Sequence, residues 1–295
     1  MYDSIIIGCG PAGMTAAIYL ARANKKVLVL EKETIGGQIA SSPLVENYPG
    51  YVSIPGSMLS NNMYDQLVNL DVPIELEEVS KIEDGDIKKV YTKNNNVYEA
   101  RTVIIASGAR YRLLGLENET NLIGNGIHFC VSCDGAFYKD KVVAVIGGGS
   151  SAVVNAISLS ELCKKVIVIQ NIDKLTCEKN MIDKINSIDN IEILYNSIVT
   201  KITGDDSLKS ITINNNKKIN LDGMFISIGL VPQNEIFAGL IKLDKNNYIE
   251  SDDCLTNVDG IFVAGDARRK KYRQLTTATN DGTTAAIEAI NYLNK

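Results

Sequence analysis

Short apolar runs that end in glycine-rich turns dominate the hydrophobic pattern of this chain. The segments SIIIGCGPAG at 4–13 and VAVIGGGSSA at 143–152 each pass from a strand-like run, through a glycine turn, into a helical pattern. A second strand-like run follows each helix, KKVLVLE at 25–31 and KKVIVIQ at 164–170. The pattern predicts two βαβ units, with helices from Pro11 to about Ala23 and from Ser151 to about Leu162.

The end of the chain is predicted to return to the first unit. DGIFVAGDA at 259–267 has the pattern of a strand and a close glycine approach, and a helical pattern follows at about 276–293. The prediction is an α/β fold with two Rossmann-like, three-layer nucleotide-binding domains, the second inserted into the first. The first domain would comprise residues 1–112 and 238–295, and the inserted domain residues 113–237.

Composition narrows the class of protein. The 295 residues are 45% apolar and 22% charged, as expected for a globular chain long enough for two domains. The net charge of -5 argues against a general affinity for nucleic acid. The longest apolar runs have the length of strands, so no membrane span is predicted. The N-terminus has no secretory signal pattern, and we expect a cytoplasmic protein.

The first glycine turn has the residues that dinucleotide binding requires. Gly8 permits a tight turn, Gly10 lets the backbone approach a phosphate, and Gly13 allows the helix to pack on the strand. Glu31 follows at the distance where an acid accepts both ribose hydroxyls. We therefore predict that this unit binds a dinucleotide.

Further motifs, in order, are GGQ at 36–38, ENYPG at 46–50, ASGA at 106–109, AGDA at 264–267 and YRQ at 272–274. With them the chain resembles the low-molecular-weight, FAD-dependent thioredoxin reductases. The resemblance implies that Asp266 binds the ribityl chain and that Arg273 and Gln274 close the site. The full set of implied FAD contacts is Gly8, Gly10, Pro11, Ala12, Gly13, Glu31, Lys32, Gly37, Gln38, Asn47, Ala106, Gly108, Gly265, Asp266, Arg273, Gln274 and Leu275.

The segment GIHFCVSCDGAFY at 126–138 contains a Cys-x-x-Cys pair, Cys130 and Cys133. A redox pair, half of a zinc site and two inert core cysteines are the alternatives. Zinc needs two more ligands, yet the chain has no second Cys-x-x-Cys and His128 is its only histidine. We predict no metal site. The other cysteines, interpreted as non-catalytic, are Cys9, Cys163, Cys177 and Cys254.

The family resemblance assigns roles around this pair. It implies that Cys133 exchanges electrons with the flavin, that Cys130 attacks the disulfide of thioredoxin, and that Asp134 supplies and accepts the proton. Asp134 could instead only cap a helix start. His128 could stabilise a thiolate when charged, or be purely structural.

The second unit departs from the family pattern. Gln170 stands where the first unit has Glu31, and Asn171 and Ile172 stand where the family has a basic pair for the 2′-phosphate of NADPH. NADPH binding is therefore doubtful, because a dianionic phosphate would lack charged partners. In this respect the chain resembles the ferredoxin-dependent flavin thioredoxin reductases.

A basic run follows the last flavin motif: Arg268, Arg269, Lys270, Lys271 and Arg273. It is interpreted either as a docking site for acidic ferredoxin or as a solvated loop. The predicted enzyme passes electrons from reduced ferredoxin through FAD and the cysteine pair to thioredoxin, and the resemblance also implies a homodimer. The alternatives are a reductase that uses NADPH or NADH through altered contacts, and a flavin redox sensor without turnover.

Overall fold

The computed structural model describes residues 1–42 and 44–295. Its strands are β1 (Tyr2–Ile7), β2 (Val27–Glu31), β3 (Ile74–Leu76), β4 (Val79–Glu83), β5 (Lys88–Thr92), β6 (Val97–Ile105), β7 (Ala109–Tyr111), β8 (Ile127–His128), β9 (Val142–Ile146), β10 (Lys165–Ile169), β11 (Ile191–Leu194), β12 (Val199–Gly204), β13 (Leu208–Ile213), β14 (Lys217–Asn220), β15 (Gly223–Ile226), β16 (Leu230–Pro232) and β17 (Ile261–Val263). Its α-helices are α1 (Pro11–Arg22), α2 (Gly56–Asn69), α3 (Val131–Asp134), α4 (Ser150–Ser160), α5 (Lys179–Asn186) and α6 (Leu275–Leu293). Within this part of the chain, no helix is both long enough and apolar enough to cross a bilayer.

The chain divides into two compact units, and both are of the α/β class that the glycine repeat predicts. The first unit comprises Met1–Arg110 and Val231–Lys295. Its main sheet has the order β3-β2-β1-β6-β5-β4, and β17 pairs with β6. Strands β1, β2, β6 and β17 run parallel to one another, and β17 adds a strand from the C-terminal segment to this sheet.

Alternation along the parallel strands builds two cores in the first unit. On one face Ile6 and Ile104 pack with helices α1 and α6, while on the other face Ile5, Ile7 and Ile105 pack in a second cluster. All of these side chains are buried. Strands covered on both faces give nearly continuous apolar runs, which explains the IIIG pattern that ends β1.

The second unit, Tyr111–Leu230, repeats the same plan. Its five-stranded sheet has the order β11-β10-β9-β15-β8, with parallel neighbours throughout. An antiparallel three-stranded sheet, β12-β13-β14, packs into the same unit. Helix α4 follows β9 directly after the second glycine turn. The repeated strand, turn and helix therefore occur in both units.

Two short strands, β7 and β16, pair with each other where the chain passes from one unit to the other. The units end at 110/111 and 230/231, whereas the sequence placed the boundaries at 112/113 and 237/238. Residues 231–237 belong to the first unit because the buried Asn234 side chain donates to the carbonyls of Ala267 (2.8 Å) and Asn247 (2.9 Å). Phe237 is also buried in that unit's second core cluster.

Candidate active site

The first glycine turn is shaped for a ligand close to its backbone. Gly8 has a φ of +107°, and a Cβ there would collide with the carbonyl oxygen of Ala106. A Cβ at Gly13 would collide with the carbonyl oxygen of Gly8, so α1 can lie close to β1 only with glycine at this position. In contrast, no atom of the described residues lies within 4 Å of a Cβ placed on Gly10. The turn is therefore tight at its base and open where a phosphate would approach.

Helix α1 begins at Pro11 and has no side-chain cap, so its first N-H groups are left for another acceptor. Glu31, at the end of β2, is buried beside this turn. Its two carboxylate oxygens accept hydrogen bonds from Cys9 N (2.7 Å) and Glu33 N (2.8 Å). Those bonds fix the carboxylate at the edge of the turn, where a ribose would meet it.

Two other predicted contacts lie in loops of the same unit. The Gln38 side chain donates to the carbonyl oxygen of Ala109, and a Cβ on Gly37 would lie 3.3 Å from Gly10 Cα. Asn47 is exposed in a bend just after the Val45 bridge to Ile54. The structure thus brings the GGQ segment to the glycine turn. The Lys32 side chain is directed to Gln233 (Nζ to Oε1, 3.0 Å).

The AGDA segment also reaches this turn. A Cβ on Gly265 would lie 2.8 Å from that of Ala12, so the segment packs directly on the start of α1. Asp266 is mostly buried, and burial raises the pKa of its carboxyl, while Lys270 (3.3 Å) and Arg273 act in the opposite direction. Its position beside α1 fits the prediction that it binds a polar chain attached to the nucleotide.

Arg273 and Gln274 lie just before α6. The Arg273 guanidinium stacks 4.2 Å from the centre of the Tyr248 ring, and its buried Nε has no hydrogen-bond partner among residues 1–42 and 44–295. The Gln274 side chain accepts a bond from the backbone of Thr277 and so caps α6, which begins at Leu275. The unpaired Arg273 Nε-H and the first N-H groups of α1 are donors that need an acceptor. A bound dinucleotide with a polar ring system, such as FAD, has acceptors for such donors.

The basic run is only partly a surface feature. Arg268 Nη1 and Lys270 Nζ each lie 3.0 Å from the buried carboxylate of Asp281, and both side chains are mostly buried. The surface interpretation is therefore wrong for these two residues, because the charge of Asp281 holds them inside the first unit. Arg269 and Lys271 remain exposed.

The predicted redox pair lies in the second unit. Cys130 and Cys133 are joined by a disulfide across the first turn of α3. Both residues are partly exposed, and Cys130 Sγ lies 3.3 Å from Ser132 Oγ. The pair follows directly on β8, which holds the start of this segment in the sheet by pairing with β15. A partly exposed disulfide on a short helix is accessible for thiol exchange.

Asp134 is buried next to this disulfide. Its side chain makes no cap bond to the turn that follows; instead, Oδ2 lies 3.2 Å from His128 Nδ1. The other ring nitrogen, Nε2, lies 2.7 Å from the hydroxyl of Tyr138. The sequence singled out His128 because it lies two residues before the dithiol, but it gave no sign of Tyr138, which lies ten positions further along.

The four other cysteines are free thiols. Burial, mainly, raises the pKa of Cys9 and Cys254 to about 12 and that of Cys163 to about 11. Burial also raises the pKa of Cys177. Thiols that resist ionisation are poor nucleophiles, so the environment of these residues is unlike that of a reactive cysteine.

Comparison with known proteins identifies the class. The family model described as pyridine nucleotide-disulphide oxidoreductase matches residues 2–282. A thioredoxin reductase of Bacillus subtilis is 38% identical over 302 residues, covering 100% of this chain and 96% of that protein. A Clostridium pasteurianum relative, described as a 34.2 kDa protein in the rubredoxin operon, is 39% identical and covers 99% of this chain and 97% of its own.

The crystal structure of thioredoxin reductase from Streptococcus pyogenes superposes with a TM-score of 0.95 at 40% identity, covering 100% of this chain and 98% of that one. Fold, disulfide and relatives together define an FAD-dependent disulfide oxidoreductase. Within that class, the chain belongs to the pyridine nucleotide-disulphide oxidoreductase family, in its low-molecular-weight thioredoxin reductase branch.

Proposed function

We propose that this protein reduces thioredoxin through Cys130 and Cys133, with Asp134 as the proton donor and acceptor. The observation that carries the proposal is a partly exposed disulfide that is followed directly in the chain by a buried aspartate, Asp134. The 38% identity to a Bacillus subtilis thioredoxin reductase supports thioredoxin as the substrate. The FAD contacts are proposed as inferred from the sequence, and FAD, when bound, accepts single electrons and delivers them in pairs.

The exchange has two steps. The Cys130 thiolate attacks one sulfur of the thioredoxin disulfide, forms a mixed disulfide and releases a thioredoxin thiolate, which takes a proton. The Cys133 thiolate then attacks Cys130 Sγ, which restores the internal disulfide and releases the second thiolate. The enzyme dithiol loses two electrons and thioredoxin gains them. Asp134 would supply and recover the proton at the cysteine pair.

A trapping experiment tests these roles. Cys133→Ser should accumulate a stable mixed disulfide with a thioredoxin that keeps only its attacked cysteine, activated as the thionitrobenzoate disulfide, because thionitrobenzoate leaves and neither protein retains a thiol that can resolve the bond. Cys130→Ser should accumulate none. Non-reducing electrophoresis followed by peptide mass spectrometry identifies the linked cysteine. Cys177→Ser is the matched control and should behave as the wild type. Trapping through Cys133 in the Cys130→Ser protein, and not through Cys130, would reverse the assignment.

We further propose that reduced ferredoxin, rather than a pyridine nucleotide, supplies the electrons. The support lies in the second glycine unit. Gln170 is buried, packs against Gly148 and donates to the carbonyl of Lys174 (2.9 Å), while its Oε1 accepts from Asn171 N (3.2 Å). Its hydrogen-bonding groups are therefore used within the loop and not directed at a ribose.

The rest of that loop offers little charge to a phosphate. Asn171 and Ile172 are exposed and uncharged, and Lys174 is the only cation between positions 170 and 176. The loop also closes on the glycine turn, because Thr176 N donates to Gly148 O at 2.7 Å. A 2′-phosphate at this position would lack the paired, charge-assisted bonds that NADPH sites provide.

The docking site we propose for ferredoxin is the exposed pair Arg269 and Lys271. Arg269 is 67% exposed, and its nearest carboxylate oxygen, on Glu250, is 3.7 Å away. Lys271 lies 5.1 Å from the ring of the exposed Tyr272. Two accessible cations that follow the flavin motif in the chain would attract an acidic electron carrier. Charges at the edge of such an interface act mainly on the association rate.

Charge reversal tests the docking site. Arg269→Glu with Lys271→Glu should slow ferredoxin-driven flavin reduction at least about tenfold at low salt and flatten its salt dependence. The control is Lys179→Glu with Lys184→Glu, two exposed cations on α5. Equal rates in the two proteins would rule the surface out. Reduced rubredoxin belongs in the same assay, given the description of the Clostridium pasteurianum relative.

The homodimer and the cytoplasmic location stay predictions.

A further inference from the structure

A buried chain of hydrogen bonds joins Asp134 to a histidine and a tyrosine. His128 Nδ1 lies 3.2 Å from Asp134 Oδ2, and His128 Nε2 lies 2.7 Å from the Tyr138 hydroxyl. All three residues are at least nine-tenths buried. The second carboxylate oxygen of Asp134, Oδ1, is buried and has no hydrogen-bond partner in the described part of the chain. One oxygen of the proposed proton donor is thus held and the other is available.

The contacts determine which ring nitrogen of His128 carries its hydrogen. Beside an ionised Asp134, Nδ1 has to be the donor, so Nε2 of the neutral ring has to accept. Tyr138 can supply the hydrogen for Nε2. Burial, followed by the charges of Asp134 and Asp222, raises the pKa of Tyr138 to about 12, so it keeps its phenolic hydrogen at neutral pH.

The surroundings hold this geometry. His128 on β8 pairs in register with Phe225 on β15, and their rings lie 5.4 Å apart. Gly223 leaves the space that the Tyr138 ring occupies, because a Cβ there would collide with it. The charged groups that face the pair are Asp134 on one side and, around the Tyr138 ring, Asp222 and Lys141, whose Nζ lies 5.3 Å from the ring centre.

We propose that His128 is a positioning residue for Asp134: Tyr138 fixes its ring with Nδ1-H toward Oδ2, which leaves Oδ1 to take and return the dithiol proton. The inference rests on the proposed role of Asp134 in disulfide reduction. The proton itself moves only between the leaving thiolate and the Asp134 carboxyl, so no further reactant is needed. His128 acts through Asp134 and does not touch the reacting sulfurs.

The tautomer can be observed directly, because His128 is the only histidine of the chain. Labelling with ¹⁵N-histidine should give a single imidazole spectrum, and at about pH 8, above the range where histidines ordinarily titrate, it should show a protonated Nδ1 and a bare Nε2. Tyr138→Phe should keep Nδ1 protonated, because Asp134 still accepts from it, but should shift the Nε2 resonance, because Nε2 loses its donor. A protonated Nε2 in the wild type would overturn the proposal. This measurement does not depend on turnover, so it stands even if thioredoxin is not the substrate.

Two substitutions separate positioning from packing. His128→Asn places an amide N-H near the Nδ1 position, whereas His128→Gln places one near Nε2. After anaerobic reduction with dithionite, flavin reoxidation by oxidised thioredoxin should be within about threefold of wild type for Asn and about tenfold or more slower for Gln. If the reoxidation rate falls equally in both variants, or falls less in His128→Gln, then His128 contributes only packing and the proposal is wrong. A wild type that fails to reduce thioredoxin would instead refute the proposed function.

Discussion

The two glycine units differ in the residue at the end of their second strand, which is Glu31 in the first unit and Gln170 in the second. Glu31 and Gln170 occupy the same place after the second strand of each unit, and both are buried. Glu31 presents a carboxylate that is anchored by backbone N-H groups at the open glycine turn. Gln170 is bonded within its own loop. We propose that this difference in residue type separates a unit that binds a ribose from one that does not.

The role of Glu31 can be tested by a minimal change. Glu31→Gln keeps the shape but leaves a single neutral acceptor, so we expect FAD to bind at least about tenfold more weakly, since a bond to a charged group contributes roughly 1.5–3 kcal/mol. Titration of the apoprotein with FAD measures this change. Glu33→Gln, the same substitution at an exposed position, should alter binding less than about twofold. Similar affinities in the two variants would remove Glu31 from the site.

At the scale of elements, the segment before α6 is organised by a buried carboxylate. Asp281 accepts bonds from Arg268 Nη1 (3.0 Å), Lys270 Nζ (3.0 Å) and Gly265 N (3.2 Å). Three residues of the segment 265–270 therefore converge on one side chain of α6. The network fixes the loop that carries Asp266 and Arg273 against the start of α1, and this loop supplies the proposed contacts to the flavin.

Removing that carboxylate should destabilise the fold. Asp281→Asn leaves two mostly buried cations without their shared partner, and breaking a buried pair in this way costs about 3–5 kcal/mol of unfolding free energy. Denaturant unfolding of the FAD-loaded protein, followed by circular dichroism, measures the loss. The matched change Asp205→Asn breaks an exposed ion pair with Lys209 and should have no measurable effect. If the Asp281→Asn protein is as stable as the Asp205→Asn control, Asp281 does not stabilise this part of the fold.

Local patterns predicted the elements well and the side-chain networks poorly. Strand, glycine turn and helix recur at a fixed offset because each βαβ unit is specified by neighbouring residues. The burial of Arg268 and Lys270 depends instead on Asp281, which is more than ten positions away. The His128 and Tyr138 contact likewise joins separate elements. Such contacts depend on the packing of the folded chain, and no periodicity of the sequence reports them.

At the scale of the whole molecule, the entry of electrons into the protein and their exit to a substrate are separate questions. We propose that electrons leave the protein by thiol exchange with thioredoxin. This is favoured by the dithiol, by the buried carboxylate that follows it and by the thioredoxin reductase relatives. The second glycine unit has uncharged residues at 170–172, and on this basis we propose that NADPH is not the electron donor. A one-electron carrier that reaches the exposed cations of the first unit is the donor we propose. The choice of donor is therefore the central claim.

Anaerobic rapid mixing of the oxidised, FAD-loaded protein with NADPH, NADH or reduced ferredoxin, followed through the flavin absorbance, tests that claim most directly. A variant with Asn171→Arg and Ile172→Arg, at two exposed positions, serves as the matched comparison. The account predicts rapid bleaching of the wild type by reduced ferredoxin and none by either nucleotide, with a gain of NADPH-driven bleaching in the arginine variant. Rapid bleaching of the wild type by NADPH or NADH would contradict it.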